Sequence, residues 1–91
     1  MHNEQFELLS KLAGYLDDLR VYRMPFGKYG PENVPPHGTA IYDLPLPYLI
    51  WFKNSAEAFP TGRLGELMEF VYEVKSVGAE EIFAPLRGNR R

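Results

Sequence analysis

Val21-Tyr22-Arg23-Met24-Pro25-Phe26-Gly27 is the stretch whose reading decides the fold. Tyr22, Met24 and Phe26 alternate with Arg23 and Pro25, and an extended chain turns alternate side chains to one face, so the pattern predicts a strand with a single apolar face. Pro25 has no N–H to give to a ladder, which confines such a strand to a sheet edge. Thr39-Ala40-Ile41-Tyr42 is β-compatible and would return beside it. Between them, Gly30 to Gly38 holds three prolines and reads as a loop. The expectation is a two-stranded hairpin with a long tip.

Upstream, Phe6, Leu9, Leu12, Ala13, Leu16 and Leu19 recur at three- and four-residue steps. That spacing lays them along one face of a helix from Glu4 to about Leu19. Asn3 is placed to cap it, and Glu4 and Glu7 in the first turn and Arg20 at the far end match the helix dipole.

Downstream, Asp43-Leu44-Pro45-Leu46-Pro47 interrupts the chain. A proline is tolerated in the first helical turn, so a short helix from about Pro47 to Asn54 follows, with Ser55 to Gly62 as a loop. Leu64, Leu67, Met68, Val71, Tyr72 and Val74 outline a long amphipathic helix that Gly78 should end. Ala79 to Ala84 adds a turn or short helix, and Arg87 to Arg91 reads as a frayed tail. A lone hairpin is marginal in water, so the helices must cover it. The predicted fold class is therefore α+β, a single domain over residues 1–91 with three or four helices packed around a small two-stranded β-hairpin.

The composition narrows the function classes. The chain has no cysteine, which removes disulfides, thiolate zinc sites and thiol nucleophiles, and fits a reducing compartment such as the cytoplasm. The opening Met1-His2-Asn3-Glu4-Gln5 has neither the basic nor the apolar segment of a secretory signal. The longest apolar run, Tyr48 to Phe52, is far short of the roughly twenty residues a membrane span needs. Ten basic against twelve acidic side chains leave a net charge of −2, too balanced for a surface that binds polyanions as a whole. Thirteen rings (six Tyr, six Phe and one Trp) are more than an ordinary small core needs, so some are expected at a partner site.

No catalytic or metal-binding constellation emerges, and no cofactor is expected. Glu66, Glu69 and Glu73 share one helical stripe and could offer oxygen ligands to a hard cation, but such a stripe is ordinarily the solvated face opposite the core. Asp43 reads as a turn or cap acceptor. His2 and His37 have no Ser, Cys or acid at a motif spacing.

Two weak binding sets remain. Arg20, Arg23 and Lys28 lie within nine residues with Tyr22 and Tyr29 among them. Cations beside rings are what a single-stranded nucleic-acid platform needs, so Arg20, Arg23, Lys28 and Tyr29 form a candidate nucleic-acid set. Phe26-Gly27-Lys28-Tyr29-Gly30 could also cradle a phosphate, although it lacks the spacing of a Walker loop. Trp51, the lone indole, reads first as a core anchor and second, with Tyr48, as a partner-binding pair.

Taken together, Met24-Pro25-Phe26-Gly27-Lys28-Tyr29, Asp43-Leu44-Pro45, Tyr48-Leu49 and Trp51-Phe52 resemble the bacterial family labelled "putative quorum-sensing-regulated virulence factor". Related Met-Pro-Phe-Gly-Lys segments occur in the C-terminal extensions of some DnaQ-like exonucleases. The resemblance runs from about Tyr22 to Arg87 and leaves the first helix outside it. It implies no catalytic residues. The exonuclease association implies a nucleic-acid context by analogy alone. The segment Gly30-Pro31-Glu32-Asn33-Val34-Pro35-Pro36-His37 departs from the pattern by insertion and adds an acid beside Lys28. The leading expectation is a non-enzymatic binding or adaptor domain with a protein partner and an aromatic-rich surface. A nucleic-acid accessory module is the alternative, and a homodimer is compatible with both.

Overall fold

A computed structural model describes residues 2–55 and 58–87, with side chains from residue 7 onward. The first helix already includes His2, so Asn3 lies within it and not at its cap; the side chains of residues 2–6 and the tail beyond Arg87 lie outside the described residues.

Four α-helices follow one another: α1 (His2–Leu19), α2 (Leu46–Asn54), α3 (Gly62–Ser76) and α4 (Ala84–Arg87). Three 3-10 turns join them, at Gly27–Tyr29, Ile41–Asp43 and Glu80–Phe83. The expected α+β class is corrected to an all-helical small domain, because no strand forms among the described residues. Antiparallel pairing is a single bridge, Arg23 to Ala40, framed by Met24 N–H donating to the Thr39 carbonyl at 2.8 Å and Ile41 N–H to the Tyr22 carbonyl at 3.3 Å. The reason is local. The Thr39 N–H that would return a bond to Met24 donates instead to the Tyr29 carbonyl at 2.9 Å, and Gly27 at φ 78° turns the chain into a 3-10 turn. On the other side, the chain enters the Ile41–Asp43 turn directly after Ala40.

The core gathers on α3. Leu67, Met68 and Val71 are fully buried against Leu19, Met24, Ile41, Leu44, Leu49 and Phe83. Gly65 lets the preceding loop cross α3, since a Cβ there would lie 1.6 Å from the Pro60 carbonyl oxygen. α3 ends as its sequence predicts: Gly78 N–H donates to Lys75 O at 3.1 Å and Ala79 N–H to Val74 O at 3.0 Å, the paired bonds of a glycine terminator.

α1 differs from its predicted stripe. Leu19 is buried and Leu12, Tyr15 and Leu16 are half-buried, but Ala13 is exposed, and Leu8 and Leu9 are 66% and 63% exposed. Its second half is what meets α3, through Tyr15 stacked on Phe70 at 4.5 Å and Arg63, which donates to Asp18 at 2.7 Å and lies over the Tyr15 ring. At the opposite end, Lys75 Nζ donates to the Leu44 carbonyl at 2.8 Å. Arg87 pairs with Asp43 at 2.6 Å while covering the Tyr42 ring. Asp43 thus accepts from a distant guanidinium and sits within a turn. These bonds hold the 21–45 segment onto α3 and α4, and that segment in turn positions the surface beside α2.

Candidate binding groove

α2 reads Leu46-Pro47-Tyr48-Leu49-Ile50-Trp51-Phe52-Lys53-Asn54 and is apolar on nearly every side. A helix of that kind is ordinarily surrounded by protein. Here only Leu49 is buried, and Trp51 is 62% exposed. The reading of Trp51 as a core anchor is therefore corrected. Leu49 fills the core position, and nine helical residues present more apolar directions than one small core can cover.

Tyr48, Trp51 and Phe52 fall at i, i+3 and i+4, so their side chains share one face. Tyr48 lies nearly parallel to Trp51, with centroids 6.4 Å apart, and Phe52 stands edge-on to both, at 5.2 Å from Tyr48 and 5.1 Å from Trp51. The Gly27–Tyr29 turn closes on this face and sets Tyr29 edge-on to Tyr48 at 4.7 Å. Phe26, 47% exposed, completes the wall. Between turn and helix lies an open groove of about 850 Å³, with Pro45 and Pro47 along its margin. That volume falls within the range of ligand-binding clefts.

Lys28 is the only charged residue in the lining. Its ammonium sits 5.7 Å from the Tyr29 ring centroid and, among the described residues, has no acidic partner. Burial, with the neighbouring Tyr29 as a second cause, pushes the Tyr48 hydroxyl above the usual tyrosine range, so it remains a protonated donor near neutral pH. Among the described residues, neither the Tyr29 and Tyr48 hydroxyls nor Trp51 Nε1 donates a hydrogen bond. The surface is therefore apolar rings with unspent donors and one cation.

The structure merges halves of the two sets predicted from sequence: Lys28 and Tyr29 line the same groove as Tyr48 and Trp51. Arg20 and Arg23 are not part of it. Arg20 faces Asp17 at 3.7 Å, and Arg23 donates to the Gly38 carbonyl at 3.2 Å. Sequence reasoning assigned Phe26 only to a possible phosphate cradle and missed Phe52 and the two prolines as part of a site. The signal that could have found Phe52 and Pro47 was the uniformly apolar composition of α2.

Glu66, Glu69 and Glu73 are exposed, and Glu66 is held by Arg63 at 2.9 Å. No group of three candidate metal ligands converges among the described residues. No helix there is long and apolar enough to cross a membrane.

The family described as "Putative quorum-sensing-regulated virulence factor" matches residues 13–86. The match begins inside α1, earlier than the Tyr22 start expected from sequence. The chain is also similar to "Uncharacterized protein YpeB" of Escherichia coli strain K12, with 42% identity over 64 residues, covering 70% of this chain and 78% of that protein. The YpeB of Escherichia coli O157:H7 gives the same values. No solved structure matches.

Proposed function

The chain belongs to the family described as "Putative quorum-sensing-regulated virulence factor", and we propose that it acts as a non-enzymatic protein-binding or adaptor domain whose aromatic groove receives a segment of a partner. The carrying observation is Trp51, a mostly exposed indole stacked on Tyr48 at the mouth of a ring-lined groove. Large rings left in water at a concave surface are the residues that dominate interface energies when covered. The lining holds no carboxylate, histidine or serine, and among the described residues neither Lys28 nor a tyrosine hydroxyl there is hydrogen-bonded to a group that would activate it.

The test compares wild-type protein with Trp51→Ala as baits in nuclease-treated extract of the native host, with cross-linking through Lys28. A protein that is cross-linked at Lys28 and lost in the variant supports the reading. Identical captures by both baits would sink it. The alternative, a nucleic-acid accessory module, is favoured by Lys28 beside Tyr29 and Trp51, since cation and rings are the parts of a stacking platform. It is weakened by the position of Arg20 and Arg23 outside the groove. Nuclease-sensitive capture with a steep loss at high salt would favour it.

A further inference from the structure

We infer that the segment the groove receives is an extended, proline-rich strand of a partner protein with a carboxylate next to its proline run. This inference rests on the groove being a protein-docking site. Groove and segment match in donors, shape and charge. The residues that line the groove carry donors, at Trp51, Tyr29, Tyr48 and Lys28, that make no hydrogen bond among the described residues. A helix docked by its apolar face would bury those donors without acceptors, which is costly. An added β-strand would need a sheet edge, and no strand is present among the described residues.

A polyproline-type segment meets both requirements. It makes no internal hydrogen bonds, its carbonyls point outward as acceptors, and its prolines bring no N–H of their own. Its pyrrolidine rings pack on aromatic faces, and it loses little conformational freedom on binding. Lys28, without an acidic partner among the described residues, sets the sign of the flanking charge, and no carboxylate lines the groove to compete.

Trp51 is the sole tryptophan, so its emission reports the groove directly. The full chain is titrated at low salt with a ten-proline peptide ending in two aspartates, the same peptide ending in two lysines, a leucine-rich amphipathic helical peptide and an oligothymidylate. The expected result is a saturable blue shift with the proline peptides. The aspartate form should bind more tightly, by up to about five-fold for an exposed charge pair. Lys28→Glu should reverse that order. Trp51→Ala, checked for folding by circular dichroism, should lose binding of the fluorescein-labelled peptide.

Indifference to the terminal charges, or tighter binding of the helical peptide or the oligonucleotide, overturns the inference. So does silence with both proline peptides, and a displayed random peptide library then locates the failure. Proline-free ligands selected by wild type and not by Trp51→Ala leave the docking groove standing. No Trp51-dependent ligand at all removes the groove reading as well.

Discussion

A Cβ at position 27 would meet the Tyr48 hydroxyl at 3.3 Å, so the bare backbone of Gly27 is what lets the Phe26–Tyr29 turn close on α2. The same residue takes φ 78°, a left-handed conformation that side-chain-bearing residues adopt at a cost. Gly27→Ala should therefore lower stability by about 1–2 kcal/mol and widen the groove. Thermal unfolding and Trp51 emission would read the two effects separately. An unchanged midpoint with an unchanged emission maximum would contradict this account of the turn.

Trp51→Ala should be nearly silent in stability. A mostly exposed indole costs less than about 1 kcal/mol to remove, against about 3–5 kcal/mol for a buried one. Urea unfolding followed by circular dichroism measures the difference. Acrylamide should also quench wild-type emission efficiently in the folded state. A large loss of stability would return Trp51 to the core.

Gly65→Ala should be far more damaging, although alanine is the better helix former. The new methyl would lie 1.6 Å from the Pro60 carbonyl oxygen, so the loop or the helix must shift. Overpacking of this kind costs about 1–3 kcal/mol. A gain in Tm for this variant would mean that the loop does not cross α3 there.

Burial lowers the Lys75 pKa below a free lysine's 10.5, ahead of the nearby Asp43 and Glu80, which raise it. A base whose folded pKa is depressed releases its proton first in the folded state. Between the depressed value and 10.5, the unfolded chain binds more protons, and the Lys75 contribution to stability rises with pH. Tyr48 has the opposite sign: its folded pKa is raised above 10.0, so its contribution falls as pH climbs past 10.0. Stability profiles of Lys75→Met and Tyr48→Phe against wild type should therefore diverge in opposite directions at alkaline pH. Parallel profiles would contradict both assignments.

Helical period carried most of the legible fold. Leu67, Met68 and Val71 sit in the core, and Gly78 terminates α3 as the sequence indicates. Alternation at Tyr22, Met24 and Phe26 predicts a hairpin that does not form, because alternation is a local property, whereas a ladder needs successive donors on both sides. Met24 is buried and Phe26 is exposed, so the alternating residues do not share one buried face. For the groove, Lys28, Tyr29, Tyr48 and Trp51 could each be named from sequence, but their convergence depends on a tertiary closure between residues about twenty apart. Trp51 read as core because large rings usually are. What placed it outside is that Leu49 already occupies the inward direction of a short helix.

The lone Arg23–Ala40 bridge has a consequence for how this molecule breathes. A segment without a ladder ties down its amide hydrogens by scattered bonds, so exchange with deuterated water should slow Met24, Thr39 and Ile41 by separate local openings and not as one cooperative strand. The turn that walls the groove belongs to that stretch. Its opening would cost local side-chain packing, the Thr39 N–H bond to the Tyr29 carbonyl and the Asn33 side-chain bond to the Gly27 carbonyl, and the cleft would then admit a guest without unfolding α2 or α3.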